Sequence, residues 1–483
     1  MAYLGIDLGT SGLRILLIDE AGTPLASAQA HYDVQRPHPG WSEQAPADWI
    51  AALEAAISEI GETTPEFAQI RGIGVAGHMH GAVLLDETDT VLRPCILWND
   101  TRSHVEATRL DGIPDFRSLS GNIVFPGFTA PKLDWVRTQE PDIFKRIAKV
   151  LLPAAFLNLY LTGEYVSDVS DAAGTSWLDV AHRAWSDTLL GHGGLSVAAM
   201  PRLVEGSEPA GQLRADLQRR WGMDHAVTVA GGAADNAAAA CGMGVMNEGQ
   251  GFVSLGTSGV VLAARNICQP APETAVHTFC HAVPDRWYQM GVMLSATDSL
   301  NWLSTVVGQS PGELTQELGS DLKDPSTLMF LPYLSGERTP HNDAAIRGGF
   351  VGLSTTTTRA DMTRAVLEGV SFGLRDCLDA IRGTGTSMET LFAIGGGAAS
   401  DYWLALLATV LETPLRRPEG GEFGAALGAA RLGQVAATDS QVDDVMHRPA
   451  NVTTFVPQDY LVTRYQAAHD RFRRAYLPLR GMM

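Results

Sequence analysis

Short apolar runs broken by small polar turns set the pattern at the start of the chain. Residues 3–6 and 13–18 are aliphatic or β-branched, and between them lies Asp7-Leu-Gly9-Thr10-Ser11-Gly12. Runs of this length and composition predict two strands joined by a tight turn. A third strand is predicted at 25–31, after Gly22 and Pro24. Pro46 and Asp48 open a helix that carries Ile50, Leu53 and Ile57 on one face. Strands follow at 70–76 and 82–85, then a mainly helical stretch over 110–161. A strand at 226–230 runs through Gly231-Gly232-Ala233-Ala234 into Asp235-Asn236 and an alanine-rich helix.

The pattern then restarts. Residues 252–255 and 260–264 predict strands on either side of Gly256-Thr257-Ser258-Gly259, a third strand covers 287–292, and a helix begins near Asp298. The stretch 335–342 reads as a linker before a helix at 360–381. A strand at 391–394 ends in Gly395-Gly396-Gly397, and Ser400 is placed to cap the next helix. A last helix spans 459–476, with Leu461, Tyr465, Phe472 and Tyr476 at helical spacing. Gly9–Gly12 and Gly256–Gly259 are identical tetrapeptides about half the chain apart. The chain is therefore read as α/β and duplicated, with three strands before the first helix rather than the strand–helix alternation of a Rossmann unit.

At 483 residues the chain exceeds what one core sustains. Two domains are expected, 1–245 and 246–483. The net charge of −19 argues against nucleic acid and anionic membrane as partners, and no run of 18 apolar residues is present to span a bilayer. Five scattered cysteines without a CxxC, and no basic leader before the first strand, point to a reducing cytoplasm.

Glycine turns let backbone amides approach an anion, and Thr and Ser add donors, so each Gly-Thr-Ser-Gly turn can act as a phosphate nest or simply as a hairpin turn. Two copies at the start of two halves suit a cleft that grips one polyphosphate from both sides. Neither is a P-loop, because no Gly-Lys-Ser/Thr follows. Asp7, at the end of the first strand, is a candidate to act through Mg²⁺, which takes one or two carboxylates beside phosphate oxygens and water. Arg14 stands on the next strand and reads either as a solvated strand arginine or as a contact to phosphate. Gly396 and Gly397 either make a plain tight turn or offer bare backbone to a nucleotide at a helix start. Asp235 reads either as a helix cap or as a base that takes a proton from a substrate hydroxyl; phosphoryl transfer asks little more of its base. His78-Met79-His80 and Trp98-Asn99-Asp100 follow strands, where ligands bind in such sheets. They read as contacts to a hydroxylated substrate, since no third ligand stands at metal spacing from His78 and His80.

With these residues assembled, the chain resembles the FGGY carbohydrate kinases over nearly its whole length. Residues 127–139, Gly-Phe-Thr-Ala-Pro-Lys132-Leu-Asp-Trp135-Val-Arg-Thr-Gln, are similar to the first family signature. Gly348-Gly-Phe-Val-Gly-Leu353, then Asp361-Met362 and Ala365-Val-Leu-Glu368, are similar to the second. Gly77–Gly81, Leu97–Arg102, Pro126–Lys132 and Ser335–His341 resemble the ketopentose branch rather than glycerol kinases.

The resemblance implies a duplicated, ribonuclease H-like (actin-like ATPase) fold around a central cleft, and ATP-dependent phosphorylation of D-xylulose. It implies Asp235 as base for the 5-hydroxyl, Met79 and His80 at the sugar, and Asp7 acting through Mg²⁺. Thr10, Ser11, Arg14, Gly256 and Thr257 would then lie along the phosphates and Gly396 and Gly397 under adenosine. Trp98, Asn99, Arg102 and Asn236 extend the sugar pocket. A homodimer is a family-level expectation. Ribulose or arabinitol as substrate, or an actin-like conformational ATPase, are the alternatives. Three places depart from the family pattern: Ala154-Ala155, Ala233-Ala234 and Ala399. Alanine resists positive φ, so the second is expected to stiffen the approach to Asp235, and the third removes a cation near the nucleotide.

Overall fold

The structure, a computed structural model, describes residues 1–438 and 440–483. The first half is built on β1 (Ala2–Leu8), β2 (Gly12–Asp19), β3 (Pro24–His31), α1 (Pro46–Thr63), β4 (Ile70–Gly77), α2 (Thr129–Gln139), α3 (Pro153–Thr162), β5 (Pro209–Gln212), β6 (Thr228–Ala230), β7 (Ala233–Ala234) and α4 (Asp235–Met243). The second uses β8 (Gly251–Leu255), β9 (Gly259–Arg265), β10 (His277–Cys280), β11 (Trp287–Met293), α5 (Thr297–Val307), α6 (Arg359–Arg382), β12 (Leu391–Ile394), α7 (Asp401–Leu411), β13 (Leu415–Pro418), α8 (Gly424–Ala437), β14 (Val452–Phe455) and α9 (Asp459–Arg480).

Two seven-stranded mixed sheets result. Their orders are β5-β6-β4-β1-β2-β3, with β7 beside β4, and β10-β11-β9-β8-β12-β13-β14. In each half a hairpin (β1–β2, β8–β9) leads the sheet, and its first strand pairs in parallel with a later strand, β4 or β12. This is the duplicated ribonuclease H-like, actin-like architecture.

The period-two alternation of the strands decides which helices cover which face. Leu4, Ile6, Leu8, Ile15 and Leu17 share a core with Trp49, Leu53 and Ile57 of α1 and Leu157 of α3. Tyr3, Leu16 and Ile18 point the other way, onto Ala426 and Ala430 of α8. In the second sheet Val253, Leu255 and Val261 face α6 and α7. Phe252, Val260, Leu262, Phe392 and Ile394 face Ala237, Ala238 and Cys241 of α4. Each half thus lends a helix to the sheet of the other. The approach is close because glycines line it: a Cβ on Gly5, Gly72 or Gly74 would stand 1.8–2.0 Å from a carbonyl oxygen of α8.

Ala233 and Ala234 do not strain the approach to Asp235. They are extended and pair with Ala76 and Gly77 of β4. The left-handed turn that the segment needs falls on Gly232, at φ 87°. Ala154, at the start of α3, lies against Gly77, where a built Cβ would stand 3.0 Å away. The stretch 335–342 is not a linker. Glu337 and Thr339 are buried and bind it to β11: Thr339 N donates to Val292 O at 3.0 Å, and Val292 N donates to Thr339 Oγ1 at 3.1 Å.

Candidate active site

Parallel pairing brings three strand ends together. Asp7 of β1 stands opposite Ala76 of β4, and Ala76 opposite Ala233 of β7, so Asp7 and the segment leading to Asp235 flank one strand, about 10 Å apart across it. Asp235 opens α4, and its Oδ1 accepts from its neighbour's backbone N at 2.7 Å and from Asn236 Nδ2 at 2.9 Å. Burial pushes its carboxyl up to about 6 against the pull of those two bonds. Asp7 is pushed up to about 7, first by burial and then by the charge of Asp235, with Arg14 acting the other way. Among the described residues nothing donates a hydrogen bond to the Asp7 carboxylate.

Met79, His80, Trp98, Asp235 and Asn236 line one cavity of about 100 Å³. Ser258, Val260, Met290, Val292 and Arg338 close it from the second half. His80 sits at φ 69°, a left-handed conformation, and its ring stacks on Phe128 at 4.3 Å. Its Nδ1 lies 2.6 Å from Gly174 O, which fixes the proton on Nδ1 and leaves Nε2 as an acceptor. Burial and the Lys132 ammonium hold the ring well below the usual histidine range, so it is neutral. Lys132 is fully buried and donates to His80 O at 2.8 Å; desolvation lowers its ammonium to about 7.

Trp98 reaches from this cavity to the first turn, its Nε1 donating to Thr10 Oγ1 at 3.0 Å. The turn is held from below: Gln44 Nε2 donates to Thr10 O at 2.6 Å and Tyr32 Oη to Gly9 O at 2.5 Å. Ser11 is exposed at its tip. The Arg14 guanidinium bonds Gln29 Oε1 at 3.4 Å and lies over the Phe423 ring at 5.6 Å. In the second turn the carbonyls of Gly256 and Thr257 accept from Thr297 N at 2.9 Å and Ala296 N at 2.8 Å. Thr297 also lines a second cavity of about 350 Å³ with Asn301, Gly312, Gly396, Gly397 and Ser400. Gly396 is exposed there and Gly397 is packed on Leu255 and Trp403. Next to Ala399, Arg417 of β13 supplies a guanidinium, bonded to Ala398 O at 3.0 Å and Asp401 Oδ1 at 2.7 Å.

Two residues expected at the sugar are placed elsewhere. Arg102 does not line the cavity. Its guanidinium bonds Asp100 and Glu43, each at 2.7 Å, and lies 3.6 Å from the Trp41 ring. Glu43 keeps its ion pair with Arg93 at 2.6 Å, so Arg102→Met strands the buried Asp100 carboxylate alone. It is expected to cost about 3–5 kcal/mol in urea unfolding. Asn99 is also outside the lining, its Oδ1 buried without a partner. Arg338, in contrast, lines the cavity and was not foreseen. The available signal was Gly336-Glu-Arg-Thr-Pro340, which sits in the stretch read as a linker.

Comparison with known proteins decides the family. A model of the N-terminal domain of the FGGY family of carbohydrate kinases matches residues 2–242, and one of the C-terminal domain matches residues 251–437. The chain belongs to the FGGY carbohydrate kinases. It is 44% identical to the xylulose kinase of Escherichia coli K12 over 485 residues, covering 100% of both chains. It superposes on the crystal structure of a xyloylose kinase from Brucella ovis with a TM-score of 0.97 and 56% identity, again covering 100% of both. A xylulose kinase structure from Rhodospirillum rubrum matches with a TM-score of 0.90 at 28% identity, over 100% of this chain and 99% of that one. As an FGGY kinase the protein phosphorylates a sugar with ATP. Among the described residues no helix is long and apolar enough to cross a membrane.

Proposed function

We propose that this FGGY kinase transfers the γ-phosphoryl group of ATP to the 5-hydroxyl of D-xylulose. The observation that carries the reading is a cavity ending in Asp235, in a chain 56% identical from end to end to a xyloylose kinase. Asp235 takes the proton of the attacking hydroxyl. Near pH 7 a carboxyl held at about 6 is mostly ionised yet closer in basicity to its task than an ordinary aspartate. Asn236 orients that carboxylate by its two hydrogen bonds. His80 Nε2 accepts from a sugar hydroxyl, and Met79 and Trp98 give the carbon chain an apolar wall.

Thr10, Ser11, Arg14, Gly256 and Thr257 line the path of the phosphates, and Gly396 and Gly397 floor the adenosine site. The Trp98–Thr10 bond ties sugar and phosphate sites to one geometry, which matters because phosphoryl transfer is mainly positioning and charge stabilisation. Asp7 fits Mg²⁺: its carboxylate has no donor among the described residues, is repelled by Asp235 and stands beside the phosphate turn. With Asp7 as the carboxylate, phosphate oxygens and water would complete the shell. Bound there, Mg²⁺ would neutralise charge on the transferring phosphate. The five cysteines are unpaired thiols.

The test is ADP release with Mg·ATP across D-xylulose, ribulose, xylitol and D-arabinitol. D-xylulose is expected to give the highest kcat/KM. A higher value for ribulose or a pentitol overturns the substrate assignment, and ADP release that no sugar stimulates overturns sugar phosphorylation at this site.

A further inference from the structure

Arg338 brings a cation to the sugar cavity. It comes from the second half but crosses to the first, its Cζ 4.7 Å from the ring centroid of Phe125. Among the described residues its guanidinium has no hydrogen-bond or ion-pair partner, whereas the buried Arg102 is matched to two carboxylates and the buried Arg431 bonds main-chain carbonyls. The backbone beneath it is held firmly. Glu337 Oε1 accepts from the Arg338 backbone N at 2.8 Å and from Leu294 N at 3.0 Å, and Thr339 Oγ1 donates to Ala275 O at 2.8 Å. The side chain is therefore presented to the cavity from a fixed support. Its charge acts on His80 and His277, whereas the groups acting on Asp235 are burial and Asn236. The cavity thus has a base end at Asp235 and a cation end beside His80.

The two ends differ in what they accept. Arginine has five donors and no acceptor, so it suits an oxygen that only accepts; a hydroxyl can accept there too, but it must turn its own proton to a second acceptor that the cation cannot supply. A 2-ketopentose attacked through its 5-hydroxyl cannot have closed a furanose ring through that same oxygen. It must react as the open chain, with a bare carbonyl at C2. We propose that Arg338 is a specificity-determining residue that donates to this carbonyl oxygen and so selects ketoses over the matching pentitols. The inference rests on the ketopentose reading above.

The experiment compares kcat/KM of wild type, Arg338→Met and Arg338→Lys on D-xylulose, xylitol and D-arabinitol, the two pentitols being its C2-reduced forms. Arg338→Met is expected to lose about 10- to 100-fold on D-xylulose, the range for a hydrogen bond from a charged donor. The loss falls mainly in KM, because the bond is present before and during transfer. The pentitols are expected to change less than about 3-fold, so the preference collapses. Arg338→Lys, a point charge, is expected to fall between. Thermal unfolding of all three proteins should agree within a few degrees, since only the contact with the Phe125 ring is lost. Equal losses on ketose and pentitols, or no loss on either, overturn the inference and leave the ketopentose reading standing. Failure of the wild type to phosphorylate any ketopentose removes that reading, and the inference with it.

Discussion

Asp235→Asn is expected to lower kcat for sugar phosphorylation by about 10³-fold while ATP binding and the fold persist. Asparagine keeps the volume of aspartate and one acceptor oxygen for Asn236, but it cannot take a proton. Isothermal titration with ATP and stopped-time ADP assays separate the two properties, and turnover within 10-fold of wild type would remove Asp235 from the role of base. The acid limb of the wild-type pH profile offers a second check. Its kcat/KM is expected to fall as pH drops through about 6, where Asp235 protonates. The stability effect runs in the opposite sense. The native carboxyl titrates above its ordinary value of 3.8, so the unfolded chain gives up this proton first as pH rises from 4 to 6, and stability contributed by this group is lost over that window. Asp235→Asn lacks this term. The ligand-free variant is expected to melt no lower than wild type at pH 8, and a clear loss of Tm would instead mark Asp235 as structural.

Gly428→Val is expected to abolish the native state rather than weaken it. A Cβ at Gly428 would stand 1.7 Å from Ala238 O and 2.6 Å from Ala238 C. The same contact is tight from the other side, since a Cβ on Gly242 would lie 2.1 Å from Gly424 O. These atoms are backbone of α4 and α8 and cannot turn aside as a side chain would. Separating the helices also opens the faces of both sheets that they cover. Destabilisation above about 4 kcal/mol is expected, seen as loss of soluble protein or a Tm far below wild type. Gly191→Ala is the control: nothing lies within 4 Å of its built Cβ, and it should unfold like wild type. A soluble Gly428→Val protein with native Tm would show that α4 and α8 can part cheaply.

The duplicated hairpins were legible because each strand is a short apolar run bounded by a glycine turn, a signal that survives in any tertiary context. The helix α8 was not read at all. Gly424-Ala-Ala-Leu-Gly-Ala-Ala carries no polar stripe, because the helix meets a sheet on one side and α4 on another, and burial all round erases the amphipathic period. The strands β10 and β13 were missed too, each only four residues long. In the site, Asp235 and His80 could be anticipated because each sits at a strand end. Arg102 could not be judged from its neighbours: the carboxylate of Glu43 that claims it lies on a distant segment, and only the fold brings them together. Arg338 was hidden by its surroundings, where Ser, Gly, Pro, His and Asn read as a loop. Loop composition and a place in the cavity are compatible, since binding residues often ride on loops held by a rigid scaffold.

The lending of α4 and α8 between the halves bears on ancestry. A chain of half this length, carrying one such sheet and its last helix, would leave one sheet face bare and its own helix without a surface. Two copies that exchanged those helices would satisfy both needs at once. Joining the copies in one gene would then make a concentration-dependent pair into a permanent one, with the cleft already between them and each side free to specialise.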